Sequence, residues 1–236
     1  MMTRQFERTI QVIGEDLFDQ FSNLKIIVFG VGGVGSAAIE GLVRMGLKEI
    51  TIVDYDRIDI SNLNRQIFTT RDNVGMFKVL AERDRLLSIN PDLRVKYYIK
   101  KIDMDSICLF DLDDYDYVVD AIDMVTAKIG LIDYCYKNKI KIFSSMGTGN
   151  KVDASNLKPM DLYKTNYDPL AKVMRRELKK RRVNKLKVIS STEVPLVKSK
   201  RRQGASKSTP GSMSYVPPIS GYLMASEIFN DFLKRS

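Results

Sequence analysis

The chain of 236 residues is 44% hydrophobic and 28% charged, with a formal net charge of +9, which is ordinary for a globular protein. No apolar run approaches the roughly 20 residues that cross a bilayer, and residues 1–10 contain no apolar signal core, so we expect a cytoplasmic protein without a membrane segment. Two cysteines and no histidine exclude a disulfide scaffold, a cysteine-rich zinc site and catalysis by serine–histidine or cysteine–histidine sets.

The first half of the chain alternates short apolar runs with segments of helical periodicity. Residues 24–29 predict a buried strand that ends at glycine, and residues 33–46 place small and apolar residues at helical spacing up to a C-cap glycine. The alternation continues with strands predicted at 49–54, 94–99, 115–122 and 141–145, and with helices at 76–89 and from the end of the fourth strand through Tyr136. Such alternation predicts a parallel sheet with right-handed crossovers, here a Rossmann-like unit. Both cysteines, Cys108 and Cys135, are expected to be small buried residues.

The pattern changes after Gly147, where the chain becomes rich in loop residues. Its predicted elements are a basic amphipathic helix at 168–182, a strand at 187–194, a basic Gly/Ser-rich loop at 199–212, a short strand at 213–218 and a helix at 220–234. No internal repeat or long linker separates the halves, so we expect the second half to extend the same sheet. The predicted fold class is α/β: a doubly wound, mainly parallel, Rossmann-like sheet extended by C-terminal strands, with helices on both faces.

A glycine-rich turn follows the first predicted strand. Gly30, Gly32 and Gly35 have the GxGxxG spacing, with Gly33 as an additional glycine. Such glycines allow a tight strand-to-helix turn and a close approach of the backbone to a phosphate at the helix N-terminus. Asp54 ends the second strand, where a Rossmann fold keeps an acid for ribose hydroxyls. These features predict a nucleotide site without separating a dinucleotide from ATP.

The next loop favours a triphosphate over a redox dinucleotide. Residues 54–68 and the start of the following helix bring together polar and charged side chains: Asp54, Asp56, Asn62, Asn64, Arg65, Gln66 and Lys78. A triphosphate that undergoes substitution at phosphorus needs fixed cations, and Arg65 and Lys78 suit that role. One such lysine or arginine on its own would more often be a solvated surface side chain than a phosphate ligand.

Residues 6–147 resemble the adenylation domain of the ubiquitin-activating-enzyme superfamily, which includes the molybdopterin and thiamine sulfur-carrier adenylyltransferases. The resemblance rests on "GVGGVGS", "IVDYD", "SNLNRQ", Lys78 and "VVDAIDM" in this order. It implies an ATP site whose candidate residues are Gly30, Gly32, Gly33, Gly35, Asp54, Asp56, Asn62, Arg65, Gln66, Lys78 and Asp123. Of these, Gly32 and Gly33 would line the phosphates, Asp54 would bind the ribose, and Asp123 would lie by Mg²⁺ and the α-phosphate.

The resemblance also implies a role for an N-terminal arginine. Arg8, in "FERTIQVIGED", matches the arginine that such enzymes place in the site of the partner subunit. The implied catalytic set is therefore Arg8, Arg65, Lys78 and Asp123.

The second half resembles the tRNA threonylcarbamoyladenosine dehydratases. The matching stretches include "YCYKNKI", "STEVP", "PGSMSYVPPISG" and the run from "GTGNKVDASNLKP" to "RRELKKR". This resemblance implies ATP-dependent cyclisation of threonylcarbamoyladenosine in tRNA by a homodimer. Residues 1–236 would then form a single adenylation domain, with a nucleotide-binding core at 6–147 and a C-terminal extension at 148–236. A monovalent cation and a sulfur-transfer accessory protein stay open as a further cofactor and partner.

The residue types fit a reaction whose nucleophiles belong to the substrate. We infer that the substrate carboxylate attacks the α-phosphate of ATP, and that the carbamoyl group then closes on the acyl-adenylate and releases AMP. Charge stabilisation and orientation suffice for this, so the chain needs no histidine or placed cysteine. The alternatives are an adenylyltransferase for a sulfur-carrier or ubiquitin-like protein, a nicotinamide-dependent oxidoreductase, and a tRNA-binding module without catalysis.

The positive charge is concentrated in one segment. Residues 171–207 carry fourteen Lys and Arg against two acids, while the remainder of the chain is slightly acidic. This predicts a docking surface for a polyanion, and tRNA phosphates fit it. The candidate contacts are Arg175, Arg176, Lys179, Lys180, Arg181, Arg182, Arg201 and Arg202. The alternative is a solvated helix face followed by a loop.

Overall fold

Seven strands form one sheet in the computed structural model, which describes residues 2–195 and 210–235. The strands, in the order of the chain, are β1 (Ile26–Phe29), β2 (Glu49–Val53), β3 (Arg94–Tyr98), β4 (Tyr117–Asp120), β5 (Ile142–Ser145), β6 (Leu157–Asp161) and β7 (Lys187–Ser191). Their order across the sheet is β3-β2-β1-β4-β5-β7-β6, and every pair is parallel except β6 with β7. The strand order reverses between β1 and β4, and ligands of such folds bind beyond the carboxyl ends of the strands at that point.

Helices cover both faces of the sheet. They are α1 (Met2–Ile13), α2 (Glu15–Ser22), α3 (Gly33–Arg44), α4 (Lys78–Ile89), α5 (Val125–Lys137), α6 (Pro169–Lys180) and α7 (Val216–Leu233). Residues of α3, α4 and α7 share one apolar cluster on one face, while α5 and α6 pack on the other. The central strands β1 and β4 are buried at every position, as expected for strands covered on both sides. The predicted fold class is thus confirmed, and β7 and β6 extend the sheet as expected.

Helix α7 packs closely on α3 through glycine. A Cβ atom on Gly41 would lie 3.1 Å from the ring of Tyr222 and 3.2 Å from Cβ of Ala225. A Cβ atom on Gly221 would collide with the carbonyl oxygen of Val34. The absence of these two side chains lets the helix backbones approach, which brings the start of α7 onto the glycine-rich turn.

Several details differ from the sequence-based expectations. The short strand predicted at 213–218 is wrong, because α7 begins at Val216 with Pro217 and Pro218 in its first turn. Proline is tolerated there, since the first amides of a helix have no partner inside the helix. No helix is predicted before residue 24, whereas the structure has α1 and α2. Strand β6 is also unpredicted; it contains Pro159, which an edge strand accommodates.

One of the two cysteines is buried and the other is exposed. Cys135 is buried in α5 as expected, whereas the expectation for Cys108 is wrong: it is exposed and its thiol donates to the carbonyl oxygen of Asp105.

Among the helices that the structure describes, none is both long and apolar enough to span a bilayer.

One buried carboxyl group stands out in the packing of α3 against α4. Glu82 on α4 is fully buried, and neither of its carboxylate oxygens has a hydrogen-bond partner among the described residues. Glu40 of α3 lies nearby, paired with Arg44 at 2.7 Å and with Arg85 at 3.1 Å. Burial, followed by the charge of Glu40, raises the pKa of Glu82 well above its ordinary value.

Replacement of Glu82 by glutamine is expected to raise the free energy of unfolding near pH 7, because glutamine is buried without first taking up a proton; the gain is about 1.4 kcal/mol for each pH unit by which the folded pKa exceeds the unfolded one. The unfolded carboxyl loses its proton near its ordinary pKa of about 4.3, while the folded one keeps it at higher pH. The contribution of Glu82 to stability therefore falls as pH rises above about 4.3, and the gain from Glu82→Gln vanishes below it. Denaturant unfolding at several pH values across this range measures the stability of the unmodified protein and of the variant.

The matched control is Glu7→Gln, at an exposed position of α1. It should leave stability unchanged at both ends of the range. A gain from Glu82→Gln that is equally large near pH 4 and near pH 7 would contradict the assignment to ionisation.

Candidate nucleotide-binding site

The glycine-rich turn connects β1 to α3 at the carboxyl edge of the sheet. Gly30 has a φ of 92°, and a Cβ atom there would lie 2.6 Å from the carbonyl oxygen of Ala121. A Cβ atom on Gly35 would collide with the carbonyl oxygen of Gly30, whereas one on Gly32 would meet nothing within 4 Å. Gly30 and Gly35 therefore shape the turn, and Gly32 faces open space at the N-terminus of α3. That helix end can bind an anion through its free amides and dipole.

Asp54 ties the end of β2 to this turn. Its Oδ2 accepts from the amide of Val31 at 2.7 Å, and its Oδ1 accepts from the amide of Asp56 at 2.8 Å. Burial raises the pKa of Asp54, while the charge of Lys78 and the two amide bonds act in the opposite direction. A carboxylate can accept about four hydrogen bonds, so two positions are left for a ligand hydroxyl pair.

Lys78 supplies a cation that is largely removed from water. It begins α4, its side chain is 9% exposed, and its Nζ lies 2.7 Å from Oδ2 of Asp56. Its backbone amide also donates to the carbonyl oxygen of Asp56. The ammonium is thus held beside Asp54 with one carboxylate as its partner.

Arg65 lies against the glycine-rich turn. Its Nη1 donates to the carbonyl oxygen of Ser61 and to Oδ1 of Asn64, each at 2.9 Å. A Cβ atom on Gly33 would lie 3.2 Å from Cγ of Arg65. The structure therefore places the stem of Arg65 against the turn, while its guanidinium is bonded within its own loop.

Two amides complete the loop. Asn62 caps the short 3₁₀ turn Ile60–Asn62, because its Oδ1 accepts from the amide of Asp59 at 3.0 Å. Its amide nitrogen is the end that could contact a phosphate. Gln66 is buried, and its Oε1 has no hydrogen-bond partner among the described residues. A ligand that donates a hydrogen bond to this oxygen would relieve that cost.

Asp123 follows β4 and is exposed to solvent. Burial, and then the charges of Asp56, Asp123 and Asp54, raise the pKa of Tyr55. Asp123 is therefore within electrostatic range of Tyr55, which stands between Asp54 and Asp56 in the loop after β2. The described residues contain no cluster of three or more His, Cys, Asp or Glu side chains suited to a metal ion. Mg²⁺ is commonly held by one or two carboxylates together with substrate phosphates, so Asp123 fits Mg²⁺ that arrives with ATP.

Arg8 is not brought to this site within its own subunit by any described contact. It is exposed on α1, whose Phe6 packs on Phe18 and whose Gln5 donates to the carbonyl oxygen of Ile89. Ile89 ends α4, about 16 Å along that helix from Lys78. The helix that carries Arg8 is therefore anchored at the opposite edge of the sheet.

The basic side chains of α6 and its end differ in their availability. Arg175 is half-buried and donates to the carbonyl and hydroxyl oxygens of Thr165. Glu177 accepts from Arg176 and Lys180, and these bonds lower the pKa of Glu177. Arg181 donates to the carbonyl oxygen of the same glutamate at 3.0 Å.

Lys179 and Arg182 are exposed at the same helix end. Together with Lys180, which is also exposed, they form a basic group at this end of α6. The predicted contacts Arg201 and Arg202 lie outside the described residues.

One buried pair of side chains behind Asp123 is barely visible in the sequence. Lys128 and Asp120 form a fully buried ion pair beneath it, 2.9 Å apart. The only signal is a lysine in an otherwise apolar stretch of α5.

Comparison with known proteins covers almost the whole chain. The ThiF family matches residues 4–234. The tRNA threonylcarbamoyladenosine dehydratase of Bacillus subtilis is 36% identical over 247 residues, 99% of this chain and 96% of the relative. The enzyme of the same name from Escherichia coli is 40% identical over 176 residues, 75% of this chain and 66% of the relative.

A solved structure agrees with these matches. The crystal structure of E. coli tRNA N6-threonylcarbamoyladenosine dehydratase, TcdA, in complex with ATP superposes with a TM-score of 0.90 at 32% identity, covering 99% of this chain and 95% of that one. Its complex with AMP gives the same TM-score. The chain therefore belongs to the ThiF family and, within it, to the tRNA threonylcarbamoyladenosine dehydratases.

Proposed function

We propose that this protein uses ATP to cyclise threonylcarbamoyladenosine in tRNA through a carboxyl-adenylate, with release of AMP and pyrophosphate. One observation carries the proposal: Arg65 and the buried Lys78 flank a glycine-rich turn and Asp54, in a chain that matches the ATP-bound dehydratase over almost its full length. We further propose that residues 1–236 act as one adenylation domain, with its nucleotide-binding core at 6–147.

The adenosine would lie at Asp54, with the ribose hydroxyls on the two remaining acceptor positions of its carboxylate. The phosphates would then lie over Gly32 and Gly33 at the N-terminus of α3. Lys78 and Arg65 would face the phosphates, and the amides of Asn62 and Gln66 would complete the loop. Lys78 now pairs with Asp56, so a bound triphosphate would compete for the same ammonium.

In the first step, an oxygen of the substrate carboxylate attacks the α-phosphorus, and the bond to pyrophosphate breaks with its electron pair leaving on pyrophosphate. The cations and the helix N-terminus stabilise the developing negative charge. In the second step, the carbamoyl group of the same substrate attacks the acyl carbon. AMP leaves with one former carboxylate oxygen, and the carbamoyl proton passes to solvent. The product is lighter than the substrate by one water.

Mg²⁺ would be held by Asp123 together with phosphate oxygens, and it would neutralise phosphate charge. The contribution of the chain is the placement of that carboxylate beside the turn. Since the reacting groups belong to ATP and tRNA, the protein acts through orientation and electrostatics.

Arg8 supports the proposal of a homodimer. The helix that carries it is anchored at the far edge of its own subunit, so Arg8 would serve the site of a partner subunit. Exposed cations at the end of α6 would contact tRNA phosphates, and the use of tRNA as substrate agrees with a cytoplasmic location.

Arg65→Ala and Lys78→Ala are each expected to lower kcat on the order of 10³-fold, as cationic groups do in phosphoryl transfer. The assay is the formation of AMP from Mg-ATP and tRNA that carries threonylcarbamoyladenosine. Arg71→Ala is the control, because Arg71 is exposed in the same loop. Near-normal rates in the first two variants would show that the cations are misassigned. Pyrophosphate exchange that depends on a protein ending in Gly-Gly would favour the sulfur-carrier adenylyltransferases instead.

Charge reversal of Lys179, Lys180 and Arg182 to glutamate is expected to weaken tRNA binding and leave ATP binding unchanged. The slope of log affinity against log salt should fall by about one for each lost phosphate contact. Filter binding at several salt concentrations, with calorimetry for ATP, measures the two affinities.

The control for that variant is the same charge change at Lys25, Arg94 and Lys96, which are exposed at β1 and β3, away from the strands β5 and β7 next to α6. Equal tRNA affinity in the α6 variant and the unmodified protein would dismiss the proposed contact.

A mixture of Arg8→Ala and Lys78→Ala proteins tests the shared site. If Arg8 acts across the dimer, mixed dimers contain one complete site and the mixture regains up to about a quarter of full activity after subunit exchange. If Arg8 acts within its own subunit or has no catalytic role, mixing restores nothing beyond the sum of the two variants.

A further inference from the structure

A fully buried ion pair lies beneath the loop that follows β4. Nζ of Lys128 on α5 is 2.9 Å from Oδ2 of Asp120, and both side chains are 0% exposed. The hydroxyl of Ser144 on β5 donates to the same carboxylate oxygen at 2.6 Å. Burying two charges costs desolvation that their attraction often does not recover, and apolar replacements are frequently as stable. Stability alone is therefore a weak reason for this pair.

The pair holds both polar groups of Ile122. Lys128 Nζ donates to the carbonyl oxygen of Ile122 at 3.1 Å, and the amide of Ile122 donates to Oδ1 of Asp120 at 3.2 Å. Ile122 immediately precedes Asp123. The ammonium and carboxylate thus fix the peptide from which the Asp123 side chain extends.

The residue before Ile122 is fixed from the other side. The amide of Ala121 donates to the carbonyl oxygen of Phe29 at 2.9 Å, and its own carbonyl oxygen occupies the space where Gly30 would carry a Cβ. The segment 121–123 is therefore clamped between the glycine-rich turn and Lys128. Of its side chains, only that of Asp123 is exposed to solvent.

We propose that Lys128 is a positioning residue for the adenylation reaction: with Asp120 it fixes the Ile122 peptide and thereby holds the Asp123 carboxylate at the phosphate end of the glycine-rich turn. The inference rests on the proposed function, since that function assigns Asp123 to Mg-ATP. Lys128 acts through Asp123 and does not itself contact the nucleotide.

The first readout needs no tRNA. Calorimetry measures the affinity for ATP in Mg²⁺ and in EDTA. The ratio of the two affinities reports whether the Asp123 carboxylate is placed to help bind Mg-ATP. Lys128→Met should lose most of the Mg²⁺-dependent gain while its affinity in EDTA stays unchanged. Loss of a group that orients a metal-binding residue typically costs about 10–100-fold in metal affinity or activity, and kcat for AMP formation should fall by that amount. Lys137→Met is the control: Lys137 is exposed on the same helix and pairs with the buried Asp133, so this variant also leaves a carboxylate without its cation.

Because Lys128→Met leaves Asp120 buried without its cation, a second variant removes both charges. Asp120→Asn/Lys128→Met should fold as the unmodified protein does, as judged by its thermal midpoint, and still lack the Mg²⁺-dependent gain. A double variant with unchanged Mg²⁺ dependence and kcat would overturn the inference.

A double-mutant cycle separates positioning from a purely structural role. In the Asp123→Ala background, Lys128→Met should add no further loss of kcat. Losses that multiply, or a Lys128→Met defect beside a normal Asp123→Ala protein, would overturn the inference. If the unmodified protein forms no AMP from modified tRNA, the proposed function fails, while the calorimetric comparison still decides the role of Lys128.

Discussion

The site depends on one close approach of backbone, where the turn after β1 meets the turn after β4. Gly30 has a positive φ and leaves no room for a Cβ, because the carbonyl oxygen of Ala121 fills that space. A side chain there would force the two strand ends apart. The open end of α3 at Gly32 would then no longer lie beside the loop that carries Asp123. The open helix end and the placement of the acid are thus consequences of the same constraint.

The charges of the site are fixed by local structure before a nucleotide arrives. Lys78 is buried at the first residue of α4 and paired with Asp56, while Arg65 is bonded to Ser61 in the preceding loop. Preorganised cations of this kind need little rearrangement as charge develops in a transition state. This accounts for an enzyme without histidine that activates a carboxylate: the substrate supplies the nucleophile, and the protein supplies orientation and charge.

The parts of the molecule that follow from local rules could be predicted from the sequence. The glycine spacing and an acid at a strand end, such as Asp54, indicate a nucleotide site because each meets a local steric or hydrogen-bonding requirement. The alternation of strands and helices predicts the parallel sheet. The start of α7 could not be predicted, since Pro217 and Pro218 suit either an extended segment or a first helical turn, and the choice depends on how Gly221 packs on α3. The role proposed for Lys128 is equally hidden in the sequence, because the burial of this residue arises only when α5 packs over β4 and β5. The residues proposed to bind the nucleotide are thus more visible in the sequence than those proposed to position them.

The most direct test of the account follows the oxygen atoms of the carboxylate. Threonylcarbamoyladenosine in tRNA would be labelled with ¹⁸O in its carboxylate and incubated with the protein and Mg-ATP, and the nucleotide products would be analysed by mass spectrometry. A carboxyl-adenylate predicts one ¹⁸O atom in the released AMP and none in pyrophosphate. Unlabelled AMP, or formation of ADP and phosphate in place of AMP and pyrophosphate, would contradict the account.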